Sequence, residues 1–274
     1  MKSKGNFFLT EFAHNGCDSI LSLKFVPHDK KNLFMLCQKS SAAEFSLIKF
    51  NERDNAVREF SLRGISEPKF FSFDEHKVLF LLTCHGDMWR LDRHKAALSH
   101  FISISGAEFS GFEISWKCFL FSSPNGLYRM ERRDPMKVSK ISISSRAYKP
   151  IENPTHLFFL NKARTTLILV DKAAHQTRVL KLISSDWRKA EIVDEIKVEG
   201  DIRSVAKVRG EYDQIWYLQE TGEKKFRIVK TKFLPFNNFT SFSSVYLLVF
   251  GLILFSAFLL IDPRELVWKS KKSV

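Results

Sequence analysis

The chain has 274 residues, a formal net charge of +13 and four cysteines. The charge favours anionic partners such as acidic proteins, lipid headgroups or nucleic acid, although a solvated surface with a basic bias would give the same value. The cysteines are dispersed and contain no CxxC pair, which predicts reduced thiols and excludes a dense disulfide framework.

The N-terminal segment, residues 1–16, contains two early lysines but no long apolar run. Glu11, His14 and Asn15 interrupt the stretch that a secretory signal would need. We therefore expect no signal peptide in this segment.

A weak but regular recurrence fills residues 17–235. Each unit has two apolar runs around a polar turn, followed by a third strand-like run. The third runs begin at Ala43, Gly86, Asn125, His175 and Glu223, so they are separated by 43, 39, 50 and 48 residues. A period of about 40 to 50 residues with three or four strands is typical of a β-propeller blade.

The recurrence predicts an all-β head of about five blades, which a partner could complete. The predicted blades are residues 17–62, 63–104, 105–148, 149–196 and 197–235. A shorter pattern repeats at matching places in four units. Its members are Trp89-Arg90-Leu91, Tyr128-Arg129-Met130, Thr177-Arg178-Val179 and Phe226-Arg227-Ile228. This alternation predicts strands with one apolar and one charged face. A β-sandwich is the structural alternative.

The densest basic stretch begins in the third predicted blade, and we interpret it as a loop and outer strand on one rim. Its basic residues are Arg129, Arg132, Arg133, Lys137, Lys140, Arg146 and Lys149. Such a patch could bind an acidic protein or anionic lipid headgroups, and nucleic acid is less favoured because aromatic residues do not interleave with the charges. A solvated loop is the alternative interpretation.

Motifs for chemistry are absent from the sequence. There is no GxGxxG, P-loop, HExxH or GxSxG. Cys84 and His85 are neighbours, but in a strand they would point to opposite faces and could not act as a nucleophile and base. The eight histidines do not cluster at metal-ligand spacing. We therefore predict no metal, no cofactor and no enzymatic activity.

After a linker at residues 236–244, residues 245–261 are uncharged and almost entirely apolar. With the two preceding serines this run would span roughly 28 Å as a helix, close to the ~30 Å hydrocarbon core of a bilayer. The sequence therefore predicts one C-terminal transmembrane helix rather than a buried core helix. The anchor residues are Val245, Tyr246, Leu247, Leu248, Phe250, Leu252, Ile253, Leu254, Phe255, Phe258, Leu259, Leu260 and Ile261.

A short basic tail, residues 262–274, follows the predicted anchor. Its Lys271 and Lys272 resemble a dilysine retrieval signal, which functions only in the cytosol. The missing signal peptide and the dispersed cysteines instead predict a tail-anchored protein, with the head facing cytosol or nucleoplasm at the endoplasmic reticulum or nuclear envelope. On that topology the two lysines belong to a lumenal basic tail.

The repeats resemble those of WD40-like propellers, and the resemblance covers nearly all of the head. The nearest approach to their motifs is "CHGDMWRLD" (Cys84–Asp92). Propellers usually dock proteins, so the resemblance implies a non-catalytic, membrane-anchored adaptor or scaffold.

Two other functions are compatible with this layout. A propeller followed by one C-terminal span is similar to the Sec12 family, which implies nucleotide exchange on a small GTPase in coat assembly. That family has seven blades and a glycine-rich loop, whereas Asn6–Phe25 contains one glycine, so no active residue is carried over. A tether at the nuclear envelope or nuclear pore is the third hypothesis.

Overall fold

In the computed structural model, the described elements are all β-strands, and they form five sheets. The chain divides into one unit from Met1 to Phe233 and a second from Leu234 to Val274, and only the first contains described residues. The structure describes residues 17, 19–26, 32–39, 44–51, 56–92, 97–105, 108–145, 147–173, 176–207, 214–220 and 226–233.

Each sheet forms from a consecutive stretch of chain, and we number the sheets as blades in chain order. Blade 1 contains β1 (Ser19–Phe25), β2 (Asn32–Gln38), β3 (Phe45–Asn51) and β4 (Ala56–Ser61). Blade 2 contains β5 (Pro68–Phe73), β6 (Leu79–Thr83), β7 (Asp87–Asp92) and β8 (Ala97–Ser103). Blade 3 contains β9 (Gly111–Ile114), β10 (Cys118–Ser123), β11 (Gly126–Glu131) and β12 (Val138–Lys140).

Blades 4 and 5 depart from this four-stranded pattern. Blade 4 contains β13 (Ser142–Ser144), β14 (Pro154–Phe159), β15 (Thr166–Ala173), β16 (Gln176–Ile183) and β17 (Lys189–Val198). Blade 5 contains β18 (Asp201–Lys207), β19 (Gln214–Glu220) and β20 (Phe226–Lys232). All pairings are antiparallel except that of β13, which adds to the edge of β17 in parallel and carries the chain from blade 3 to blade 4.

The sequences of the central strands are continuous apolar runs because side chains on both faces of these strands are buried. In β6, Leu79 and Leu81 pack in the cluster between blades 1 and 2, whereas Phe80 and Leu82 pack in the cluster between blades 2 and 3. Successive side chains of a strand point to opposite faces, so one strand supplies two interfaces. Strands β10 and β15 divide their side chains in the same way.

The repeated arginines do not share one environment. Arg90 and Arg227 are exposed, as the alternation predicts. Arg129 and Arg178, at the matching positions of blades 3 and 4, are 4% and 3% exposed. The charged face that the alternation predicts is therefore buried at these two positions, and the side chain of Arg178 is enclosed by Asp171, Glu195 and the connection that leads into β14.

Five consecutive sheets joined by shared apolar clusters define a five-bladed, propeller-like fold. This confirms the predicted blade number and the all-β class. Within the residues that the structure describes, no helix is long and apolar enough to cross a membrane. The predicted anchor at residues 245–261 and the dilysine pair lie outside those residues and stay predictions.

Candidate functional site

One end of the propeller carries the β5–β6, β9–β10, β11–β12 and β14–β15 connections, and we call it the basic end. Arg164 joins three blades there, donating hydrogen bonds to the carbonyl oxygens of Ile114 at 2.6 Å and Phe73 at 3.2 Å. The indole nitrogen of Trp116 donates to the carbonyl oxygen of Ala163 at 3.0 Å. These contacts hold the turns of blades 2, 3 and 4 in fixed positions.

Arg132 fixes the β11–β12 connection at this end. Its guanidinium donates to both carboxylate oxygens of Glu75 at 2.6 Å and to Asp74 at 2.8 Å. Its backbone nitrogen donates to the carbonyl oxygen of Lys117 at 3.0 Å. Burial works to raise the pKa of Glu75, but backbone and Arg132 hydrogen bonds outweigh it and hold that pKa below its usual value. The charge of Arg132 is therefore neutralised by carboxylates of the protein itself, those of Asp74 and Glu75.

Five other basic side chains at the basic end are exposed, and none forms an ion pair with another described residue. They are Lys77, Lys117, Arg133, Lys137 and Lys162. Met136 is 84% exposed and Trp116 is 52% exposed at the same end. Aromatic, Met and Arg side chains are enriched in protein interfaces, whereas Lys is depleted there.

The basic patch that the sequence predicts is only partly present at this end. Arg133 and Lys137 lie there and are exposed. Arg132 lies there but is held by Asp74 and Glu75. Arg129 is buried in β11 and donates to Glu131 at 2.7 Å, so its charge faces the interior.

The remaining members of that patch do not join it. Lys140 pairs with Tyr128 along β12, toward the opposite end of blade 3. Lys149 is exposed in the connection that enters blade 4 from that opposite end. Arg146 lies outside the described residues. The prediction of a single rim is therefore wrong, because one strand carries the chain from one end of the propeller to the other.

The inner strands of blades 1, 2 and 3 meet through a buried polar contact. Lys24 pairs with Glu113, whose other oxygen accepts a hydrogen bond from Ser72 at 2.8 Å. Glu113 is 8% exposed, so this contact ties three blades together and offers little to a ligand.

The prediction that all four cysteines are reduced is wrong for two of them. Cys17 and Cys37 form a disulfide, with their Cα atoms 5.5 Å apart. Cys84 and Cys118 are free thiols. Burial raises the pKa of each free thiol to about 11, so neither is a nucleophilic thiolate at neutral pH.

At the opposite end of blade 2, the structure brings together three residues that sequence reasoning did not connect. Cys84 and His85 lie in the β6–β7 turn and not in a strand, so both side chains approach Glu67. Sequence reasoning also missed Lys77, Lys117 and Lys162. All three follow the first strand of their units, and that shared position is a signal in the repeat that could have grouped them.

No protein-family model and no curated protein matches the chain. Solved structures do match, all at low identity. Hydrazine synthase of Kuenenia stuttgartiensis aligns with a TM-score of 0.55 and 15% identity, over 85% of this chain and 71% of that one. The Cps50 (Swd1) β-propeller domain of Myceliophteria thermophila aligns with a TM-score of 0.55 and 12% identity, over 83% and 68%.

A chain of a nidogen/laminin complex aligns with a TM-score of 0.53 and 11% identity, over 73% of this chain and 72% of that one. Identities this low establish the fold alone. The class of protein that the fold defines is a β-propeller, an architecture typical of protein-interaction scaffolds.

Proposed function

We propose that this protein is a non-catalytic scaffold whose basic end binds an acidic segment of a protein partner. The observation that carries the proposal is the group of five exposed basic side chains at that end, none of them in an ion pair with another described residue. Opposite charge steers a partner toward such a surface, and the exposed Trp116 and Met136 add apolar contact area.

The free thiols support a non-catalytic role. Both are protonated at neutral pH, and Cys118 is fully buried, so thiol catalysis is disfavoured. Robust acceleration of nucleotide exchange on a small GTPase would contradict a purely non-catalytic scaffold and would favour the Sec12-like alternative.

Charge reversal at the two ends of blade 3 tests the docking surface. Affinity purification of the full chain from a detergent extract would identify the partner, which is then purified and titrated directly. Reversal of Arg133 and Lys137 to Glu should weaken binding roughly 10-fold at low salt, and less at high salt. The matched control reverses Lys140 and Lys149, which lie toward the opposite end, and should retain wild-type affinity.

Equal loss in both double variants would contradict docking at the basic end. Loss of binding to anionic vesicles, with partner binding intact, would instead assign the surface to lipid headgroups.

We further propose that residues 245–261 anchor the scaffold in the endoplasmic reticulum or nuclear envelope membrane, with the head in the lumen. This orientation differs from the one that the sequence predicts. The Cys17–Cys37 disulfide supports it, because disulfides persist in oxidising compartments. Lys271 and Lys272 would then lie in the cytosol, where a dilysine signal functions.

A glycosylation acceptor fused after Val274 tests the orientation of the proposed anchor. With the head in the lumen, the acceptor stays unmodified, whereas an acceptor placed before residue 17 is glycosylated. The reverse result would return the head to the cytosol or nucleoplasm.

A further inference from the structure

Three side chains with different metal-binding atoms meet at the end of blade 2 that lies opposite the basic end. The thiol of Cys84 donates to a carboxylate oxygen of Glu67 at 2.7 Å. The Nε2 atom of His85 is 3.6 Å from the same oxygen. The sulfur, nitrogen and oxygen atoms all lie within 4.8 Å of one another.

The backbone explains why these residues converge. Cys84 and His85 are the central residues of a turn that closes with a hydrogen bond from Gly86 N to Thr83 O at 3.3 Å. Cys84 N also donates to Glu67 O at 3.0 Å, which fixes the turn beside the segment that leads into β5.

Glycine is required at the end of this turn. Gly86 has a φ of +95°, and a Cβ atom there would lie 2.1 Å from the carbonyl oxygen of Ile104. The turn conformation that brings the thiol and the imidazole together therefore depends on glycine at position 86.

We propose that Glu67, Cys84 and His85 form a zinc-binding site with a fourth coordination position open to solvent. Thiolate sulfur, imidazole nitrogen and carboxylate oxygen are the donor atoms that zinc prefers, whereas Mg²⁺ and Ca²⁺ prefer oxygen ligands alone. A thiolate and a carboxylate together carry the two negative charges that neutralise the ion.

The distances fit coordination after a small adjustment. Ligand atoms at about 2.0 to 2.3 Å from a tetrahedral zinc ion lie roughly 3.3 to 3.6 Å from one another. The His85–Glu67 distance already lies at that value, and the Cys84–Glu67 distance must open by less than about 1 Å. The Cys84–His85 distance, which is at most 4.8 Å, must lie in the same range when the ion is bound. Side chains of Glu67 and His85 are 62% and 63% exposed, so both are free to rotate and a solvent molecule can reach the fourth position.

Zinc would replace the proton that Cys84 now shares with Glu67. Burial and the hydrogen bond to Glu67 together raise the pKa of the Cys84 thiol to about 11, although the charge of Lys69 acts in the opposite direction. Binding of zinc by the thiolate would therefore release this proton to solvent.

Cobalt titration of the full chain in detergent tests the site, because Co²⁺ bound by a thiolate absorbs in the near ultraviolet and is displaced by Zn²⁺. We expect one equivalent of Co²⁺ to produce this band and one equivalent of Zn²⁺ to abolish it. Cys84→Ser should remove the band, and Glu67→Gln and His85→Ala should each weaken binding by at least about 10-fold.

Two control variants separate this site from adventitious binding. Cys118→Ser removes the other free thiol, and His76→Ala removes an exposed histidine that lies 3.6 Å from Glu75 in a comparable turn. Both should retain the band and the affinity. A wild-type chain without the band, or a band that survives in Cys84→Ser, would overturn the proposal. The result is independent of partner docking, which takes place at the other end of the propeller.

Discussion

Blades 1 and 4 contain similar strands, but their two faces are covered differently. In blade 4, Leu167 and Leu169 pack in the cluster shared with blade 3, and Ile168 and Val170 pack in the cluster shared with blade 5. Both faces of its central strand are therefore buried against a neighbouring blade. Each fully buried side chain of this kind contributes roughly 1.5–3 kcal/mol of transfer free energy.

Blade 1 shares only one of its faces with another blade in the described part of the chain. Met35, Cys37 and Ile48 form a small cluster on the other face, with contributions only from blade 1 and Cys17. In β1, Leu23 is 49% exposed and Phe25 is 58% exposed. Strand β1 therefore buries less apolar surface than the central strand of blade 4, although Cys37 and Ile48 in blade 1 are fully buried.

The two blades also differ in the interaction that ties the chain to them. Blade 1 is tied by a disulfide, which connects Cys17, just before β1, to Cys37, a fully buried residue on the face of β2 that points away from blade 2. Blade 4 instead contains an ion pair between Arg178 and Asp171, which is 0% exposed. The disulfide stabilises blade 1 covalently. The buried ion pair of blade 4 is supported by the hydrogen bonds that Arg178 also donates to the carbonyl oxygens of Lys149 and Pro150.

Removal of the Arg178 charge should give the largest effect in this comparison. Arg178 contacts Asp171, donates to Pro150 O at 2.6 Å and lies 3.4 Å from Glu195. Arg178→Met leaves the Asp171 carboxylate buried without its cation, so the free energy of unfolding should decrease by about 3–5 kcal/mol. Urea denaturation measures this change.

The control for that prediction is Arg188→Met. Arg188 is 70% exposed on the same blade and pairs with Glu131 at 3.6 Å, so its loss should change stability by less than about 1 kcal/mol. Similar decreases in the free energy of unfolding of the two variants would mean that burial does not increase the contribution of the Arg178–Asp171 pair to stability.

The next largest difference in the free energy of unfolding should separate two leucine truncations in blade 1, one at a buried position and one at a half-exposed position. Leu36 is fully buried on the face toward blade 2, and Leu36→Ala should reduce the free energy of unfolding by about 2–5 kcal/mol. Leu23→Ala, at a half-exposed position in the same blade, should cost less than about 1 kcal/mol. A large loss at Leu23 would show that another part of the chain covers β1 in solution.

Loss of the disulfide should destabilise the protein by about 3 kcal/mol, since the bond closes a loop between positions 20 residues apart. The Cys17→Ser, Cys37→Ser double variant should unfold at lower denaturant concentration, and a reductant should shift the wild type to the same midpoint. Cys84→Ser, which leaves the disulfide in place, should respond to reductant like the wild type. An oxidised wild type no more stable than the double variant would contradict this role.

The contrast between the blades also shows what the sequence could predict. The runs "NLFMLC", "VLFLLT", "CFLFSS" and "TLILV" predict the central strands because a strand covered on both faces has few polar positions. Their regular spacing predicts five blades. The alternation around Arg129 and Arg178 does not indicate that both arginines are buried, because local sequence does not show which side chains and connections enclose a position.

Contacts between distant residues could not be predicted from these patterns. The Cys17–Cys37 bond depends on which face of β2 carries Cys37 and on where the chain enters β1. The proximity of Glu67 to Cys84 and His85 depends on the pairing of β5 with β6, which places the start of one strand beside the end of the other. Periodicity identifies the strands but does not identify which residues meet at their ends.

The smallest expected effect concerns pH and the contact between blades 4 and 5. The Nε2 atom of His156, in blade 4, lies 3.2 Å from the carbonyl oxygen of Arg203, in blade 5. Burial lowers the pKa of His156, and the charge of Lys172 lowers it further, while the Arg203 hydrogen bond and Asp201 act in the opposite direction. The folded protein therefore binds a proton at His156 less readily than the unfolded chain does.

Because the unfolded chain takes up that proton near pH 6.5, acidification favours unfolding. The stability contributed by neutral His156 should be fully present above about pH 6.5 and should decrease as the pH falls toward the lowered pKa of the folded state. His156→Gln should flatten this part of the stability profile, measured by urea denaturation at several pH values. A profile equally steep in His156→Gln would mean that burial against blade 5 does not control this titration.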